Sequence, residues 1–426
     1  MDIRLKSYLK YTTLNILGML GLSLYILADT FFVSKGMGTK GLAALNFAIP
    51  VYNFINGTGL MFSIGGGSLY SLKKYQSKNE GDKIFTNSIS MAVVTAVIFM
   101  VIGILFPGKI ASLLGASGTV GRMTTIYIRM ILLFSPAFLI NNILICFGRN
   151  DGRPGLAMVA MALGSLFNIV FDYIFIFPMK LGIFGAVLAT GCSPVVGIIT
   201  MMTHFMNPRR RQVKTVRKIP EKDISLKIIS LGAGSLITEM SAGIVMIVFN
   251  FLMLKGGGNT AVAAYGIVAN ISLVVIAVFT GLAQGIQPLA SSSYGNHGEK
   301  EAKIFRKYGI INVFVISAII SSGIFLFANE IAAIFNSEKN ISLQKQAVFG
   351  LKIYFAATLF MGINIMMSIY YAAIGREKMA QIIALLRGIV LVIPVMILLF
   401  TIFGIDGVWF GVVVTEIITM LVGFMS

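Results

Sequence analysis

The sequence predicts an all-α membrane protein of twelve transmembrane helices in two six-helix lobes related by a parallel pseudo-two-fold repeat. Three observations carry this. Hydrophobic residues make up 57% of the 426 positions and charged residues 12%, against roughly 25% charged in a soluble domain. The apolar runs are mostly about 20 to 29 residues long, enough for helices that cross the hydrocarbon and too long for barrel strands. Finally, the chain resembles itself when slid by 220 positions, with "FFVSKGMGTKGLAAL" at 31–45 falling on "FLMLKGGGNTAVAAY" at 251–265.

Taken in order, the spans centre near residues 23, 56, 95, 137, 167 and 195, and then 240, 276, 318, 360, 392 and 417. The first run starts near Thr12, carries Asp29, and meets its charged border at Lys35. It lacks a small-residue cleavage pattern, so it is expected to remain in the protein. Prolines at positions 50, 136, 194, 288 and 394 fall inside spans and are expected to bend helices or free a backbone carbonyl. Between the sixth and seventh spans lies "NPRRRQVKTVRKIPEKD", 207–223, which divides the chain into a first lobe at 1–206, a basic linker at 207–225 and a second lobe at 226–426. The 220-residue shift also superposes Gly65 on Gly285, Ser71 on Ser291 and "KIF" at 83 on "KIF" at 303. At slightly longer offsets, "FGRND" (147–151) parallels "IGREK" (374–378) and "GIFG" (182–185) parallels "GIDG" (404–407). Six is an even number of spans, so both halves enter from the same side. Parallel repeats of this kind are a standard plan of secondary transporters, with the substrate site between the halves.

The net charge of +18 raises the question of nucleic acid. Its placement answers it, because Lys and Arg concentrate on the side of the N-terminus, as the positive-inside rule requires of cytoplasmic loops. Both termini are therefore expected in the cytoplasm, in a multi-pass protein of the cell's inner (cytoplasmic) membrane, with the basic loops facing anionic lipid rather than nucleic acid. Cys146 and Cys192 lie in different spans and suggest packing thiols. No phosphate-binding loop of the G-x-x-x-x-G-K-[ST] type occurs, and the two histidines, His204 and His297, form no catalytic or zinc-ligand pattern. The chain reads as a non-enzyme without a cofactor.

Four acids, Asp29, Asp172, Glu239 and Glu416, lie within spans, where a carboxylate normally faces a bundle interior or a wet cavity. Few bases are placed to pair with them: Arg129, Lys227 and Lys352 lie close to span ends, and Arg387 lies within one. In "SLFNIVFDYIFIF", 165–177, Asn168 and Asp172 are four apart and stack on one helical face. An amide oxygen above a carboxylate offers hard ligands to a small cation, or a proton site with an orienting partner. Thr190 on the next span can add a hydroxyl, and Asp29 a second carboxylate. Two acids in one dry cavity repel unless a proton or cation sits between them, which is the competition an ion-coupled exchanger needs. Glu239 and Glu416 do not align with Asp29 or Asp172 under the repeat; Glu239 could attract a cationic substrate and Asn364 could add polarity.

The repeat, together with "ADTFFVSKGMGTKGLAAL", "GRNDGRP", "NIVFDYIFIFPMKLGIFGAVLAT" and "GLAQGIQPLASSSYGNHGEKEAKIF", resembles the multidrug and toxic compound extrusion (MATE) family over essentially the whole chain, and its bacterial MepA-like branch in particular. The resemblance implies secondary active, alternating-access export of cationic organic compounds in exchange for sodium or protons, by a monomer. It places a cation site, possible for sodium, on Asp29, Asn168, Asp172 and Thr190. Asn141 matches a cavity-facing asparagine of the fourth span and Glu239 a seventh-span acid, so substrate contacts are expected at Asn141, Glu239 and Asn364. A tenth-span acid of some relatives is replaced around Asn364. Two other readings are a lipid-linked saccharide flippase of the same superfamily, which would need cationic groups in its central cavity, and a non-transporting membrane receptor or scaffold, which would not need the four-residue cation set.

Overall fold

A computed structural model describes residues 3–74, 78–209, 211–216, 220–336 and 340–425. Arg210, Arg217 and Lys218 of the basic linker lie outside the described residues. The first half comprises α1 (Ile3–Lys73), α2 (Lys78–Leu105), α3 (Pro107–Leu113), α4 (Gly118–Leu133), α5 (Ser135–Asn150), α6 (Pro154–Ile176) and α7 (Gly182–Phe205). The second comprises α8 (Lys222–His297), α9 (Glu299–Phe335), α10 (Ile341–Ala356), α11 (Thr358–Ala373), α12 (Glu377–Leu385), a π-helical turn (Leu386–Val390), α13 (Val392–Phe403) and α14 (Ile405–Phe424).

Among the described residues, eight helical stretches are long and apolar enough to cross a membrane. The pairs α4/α5 and α10/α11, bent by 47° and 46°, each add one broken span. Helices α1 and α8 each contain two spans joined at a glycine, Gly38 and Gly258. The expected twelve spans follow from these three contributions.

The repeat is visible in the backbone. Gly38 (φ 62°, ψ −154°) and Gly258 (φ 63°, ψ −157°) share one conformation, in a region that costs a residue with a Cβ dearly. Gly182 and Gly404 match at φ 57° and 63°, which agrees with the pairing of "GIFG" and "GIDG". The pairing of "FGRND" with "IGREK" is corrected. The structural equivalent of Gly375 (φ 81°) is Gly152 (φ 83°), and each is followed by an arginine at a helix N-cap, Arg153 and Arg376. The motif similarity was therefore four residues out of register, about one helical turn, because the Gly-Arg dipeptide occurs twice within "GRNDGRP".

Pro136 sits at the start of α5, where the first broken span bends. The equivalent bend at Ala357 has no proline; there the Phe355 carbonyl accepts from Thr358 Oγ1 at 2.5 Å and Ser321 Oγ at 3.0 Å. Such hydroxyl donors are what allow a span to break without leaving polar backbone unpaired.

Each half has its own apolar core, and each core includes the start of the other half. Tyr8, with Leu5 and Ile16 beside it, packs into the second core, while Ile224, Ile228 and Leu231 pack into the first. Tyr8 and Ile228 are themselves 220 positions apart. Between the lobes the backbones come close at glycines, as membrane helices require where no solvent drives them together. A Cβ on Gly281 would stand 2.7 Å from Ile16 Cα and one on Gly285 2.7 Å from Thr12 Cα; Gly65 meets the Ile228 carbonyl and Gly232 the Met61 carbonyl. All these contacts lie at the end that carries the chain termini. At the opposite end Gly36, Gly41, Gly256 and Gly257 pack only on their own half, and Gly38 and Gly258 have nothing within 4 Å. The lobes thus meet at the end carrying the chain termini.

The linker is strapped to the first half. Asp151 accepts from the Gln212 N–H and Asp82 from the Lys214 N–H, both at 2.9 Å, and Thr86 Oγ1 accepts from the Val216 N–H at 3.0 Å. Val213 is buried between them. Asp82 and Asp151, expected at span ends, are accordingly buried.

Candidate functional site

The fifth span, α6, brings Asn168 and Asp172 one turn apart on the face turned towards α1 and α7, and both are fully buried. In the amide orientation that satisfies its neighbours, Asn168 donates to Asp172 Oδ2 at 3.1 Å and accepts from the Thr190 N–H at 3.2 Å. Helix α1 supplies Asp29, whose carboxyl is in hydrogen-bonding contact with that of Asp172. A hydrogen bond between two carboxyl groups requires a proton on one of them; a bound cation is the other way to hold them together. One oxygen of each, Asp29 Oδ1 and Asp172 Oδ1, is buried without a protein partner. Asp29, Asn168, Asp172 and Thr190 are therefore brought into one cluster of oxygen donors, a set suited to sodium or a proton rather than to a transition metal.

Three tyrosines surround this cluster that sequence reasoning passed over. Tyr127 of α4 lies beside Thr190. Tyr25, one turn before Asp29, and Tyr52 share a hydroxyl–hydroxyl contact of 3.1 Å. The four-residue spacing of Tyr25 and Asp29 is the signal that was available; Tyr52 and Tyr127 arrive from other spans and had none.

Glu239 stands apart from that cluster, at the boundary between lobes. It is half-buried and lies directly over Gly57, where a Cβ would come 2.9 Å from its own. Asn56 lies beside it, and Asn142 donates to Asn56 Oδ1 at 3.1 Å. A polar chain thus runs from α5 through α1 to the second lobe. Asn141 sits beside this chain but not in it: its carbonyl oxygen, without a hydrogen-bond partner, packs against Gly197 of α7.

Asn364, the structural counterpart of Asn141 at the 223-residue offset, is placed differently. Its amide nitrogen donates to the Glu416 carbonyl at 2.8 Å and to Glu416 Oε2 at 2.7 Å, and the residue is 1% exposed. Arg387 closes the cluster with Nη2 at 2.9 Å from Glu416 Oε1. A π-helical turn carries Arg387, and Pro394 follows it; such a turn re-aims side chains within a span. Glu416 is thus an internal ion-pair member, and Asn364 is its hydrogen-bond partner within the second lobe. Sequence reasoning also counted too few buried bases, for Arg149, read only as part of a motif, is 3% exposed.

The MatE family profile matches the chain twice, at residues 15–174 and 233–398, once in each half. The multidrug export protein MepA of Staphylococcus saprophyticus is 27% identical over 425 residues, covering 99% of this chain and 92% of that protein. MepA of Staphylococcus aureus strain NCTC 8325 is 26% identical over 424 residues, with the same coverage. Among solved structures, a multidrug resistance MATE family transporter of the MOP superfamily in an outward-facing conformation superposes with a TM-score of 0.92 at 26% identity, covering 100% of this chain and 95% of that one. A MOP superfamily transporter from Pyrococcus furiosus, described as having a binding pocket of reverse polarity, superposes at 0.91 with 24% identity over 100% and 95% of the two chains, a likeness of fold. With a profile match in both halves and the twelve-span, two-lobe fold, the chain belongs to the MatE family of multi-pass membrane transporters.

Proposed function

We propose that the chain is a secondary active multidrug exporter that moves cationic organic compounds out of the cell in exchange for sodium or protons. The observation that carries this is the contact between Asp29 and Asp172, completed by Asn168 and Thr190. A proton or cation must occupy such a pair to relieve its repulsion, so ion binding and release change the packing of α1 against α6 and α7. The resemblance to multidrug export proteins supports the same reading.

Glu239 and the neighbouring Asn141 form the substrate-facing part of the site, Glu239 by neutralising a cationic cargo at the boundary between lobes. Asn364 acts through Glu416 rather than by touching cargo. The lobes, 1–206 and 226–426, rock against each other, and residues 211–216 of the linker travel with the first because three of their N–H groups are held there. The end at which the lobes meet carries the basic loops and both termini and faces the cytoplasm, making this the outward-facing state. The protein works as a monomer in the inner membrane without a cofactor.

A flippase for a pyrophosphate-linked lipid would need free cationic groups in the cavity. Among the described residues, the well-buried Arg and Lys side chains are instead Arg387, neutralised by Glu416, and Arg149, at the closed end. The test is ethidium flux in proteoliposomes under an imposed sodium gradient and, separately, an imposed pH gradient. Stimulation by one of them supports ion-coupled export and names the ion; flux indifferent to both contradicts it.

A further inference from the structure

We propose that Arg149 is a cation barrier: it ties the two lobes together at their closed end, and its unneutralised charge keeps cations from leaking through the seam. The proposal rests on the alternating-access reading above, which requires that one end be sealed while the other is open.

Arg149, at the end of α5, is 3% exposed. Its Nη1 donates to Asn15 Oδ1 of α1 and to Gln284 Oε1 of α8, both at 2.6 Å. One guanidinium nitrogen therefore bridges the first lobe to the second. The bridge sits where the backbones are closest, since Asn15 and Gln284 flank the contacts of Gly281 and Gly285 with α1. Beside it, the next residue makes a second neutral bridge: Asn150 Nδ2 donates to Gln287 Oε1 at 3.1 Å.

Charge is the distinctive feature of this seam. Both acceptors of Arg149 are amides, its Nε is buried without a partner, and no ion pair to it occurs among the described residues. The carboxylate two positions on, Asp151, is committed to Tyr70, His204 and the Gln212 N–H. A buried guanidinium without a counter-charge is costly to keep, and an arginine so placed in a membrane path is an electrostatic obstacle to cations and protons. In a protein whose cargo and coupling ion are both cations, that obstacle stands in the seam where the lobes close. The guanidinium does not deprotonate, so the barrier holds whatever the pH on either side. Amide acceptors add a second property: a guanidinium bonded to neutral amides is held less strongly than one paired with a carboxylate, and the seam can open when the lobes rock.

The experiment measures sodium and potassium leak through proteoliposomes in the absence of cargo. Arg149→Gln removes the charge. Gln284→Glu is isosteric, keeps the bridge and neutralises the charge from the other side. Both are expected to raise the leak about tenfold over the unaltered protein, while Arg149→Lys stays near its level. If Arg149→Gln does not fold, as judged by size-exclusion chromatography, Gln284→Glu decides alone. Leak unchanged in Gln284→Glu overturns the barrier, whatever Arg149→Gln does, because the charge would then have no role beyond its hydrogen bonds. Gradient-driven ethidium export by the unaltered protein in the same vesicles reports on the underlying reading separately: its absence defeats that reading, and the leak comparison still stands on its own.

Discussion

Gly38 and Gly258, 220 positions apart, turn the chain through the same left-handed conformation, φ 62° and 63°. Each joins two spans at the end away from the chain termini. Nothing lies within 4 Å of where a Cβ would be added, so a substitution there is opposed by the backbone alone. Gly38→Ala and Gly258→Ala should each cost about 1–3 kcal/mol, seen as similar falls in thermal midpoint for the purified proteins. Unequal effects, with one substitution silent, would count against the equivalence of the two turns.

Glu416 and Arg387 make a partly buried ion pair that Asn364 completes. Glu416→Ala leaves a guanidinium inside the second lobe without its counter-charge and should destabilise by about 3–5 kcal/mol. The double variant Arg387→Met with Glu416→Met should recover most of that loss. Failure of the double variant to exceed the single one in a melting experiment would assign the pair a role other than packing.

Glu239→Gln should weaken export of ethidium roughly tenfold, the order expected for one lost charge interaction in a partly desolvated site. A neutral dye of similar size should be exported nearly as before. Equal loss of both cargoes would move Glu239 from selecting substrate to supporting the polar chain through Asn56 and Asn142.

Thr215 lies exposed in the linker between two anchored N–H groups. A cysteine placed there should react with an impermeant maleimide in inverted membrane vesicles and not in intact cells, above the background of Cys146 and Cys192. The opposite pattern would invert the topology.

Much of this molecule is legible in the sequence for specific reasons. Apolar length sets the spans, and the repeat marks where both halves use glycine's backbone freedom, at Gly38 and Gly258. Asn168 and Asp172 could be read as one site because a helix stacks residues four apart. Pro136 stands at the first broken span, but it was one of five prolines expected to bend helices, and Pro50, Pro194 and Pro288 lie inside continuous helices. The equivalent break at Ala357 was hidden, since it carries no proline and the hydroxyls that bond the Phe355 carbonyl, from Thr358 and Ser321, are not unusual in a span. Arg149, Asn56, Asn142 and Tyr127 were missed for a common reason. Each acquires its role from a partner on another helix, and nothing in local spacing records which helices will be neighbours.

On the function proposed above, the Asp29–Asp172 pair couples ion movement to export. This coupling is tested most directly by loading proteoliposomes with ethidium and following the sodium or protons that move in the opposite direction as the dye leaves. The unaltered protein should show ion movement that depends on ethidium efflux, and Asp172→Asn, which keeps the side-chain shape but cannot carry the charge, should abolish it while remaining folded. Ethidium-dependent ion movement of unaltered size in a well-folded Asp172→Asn protein would contradict the account.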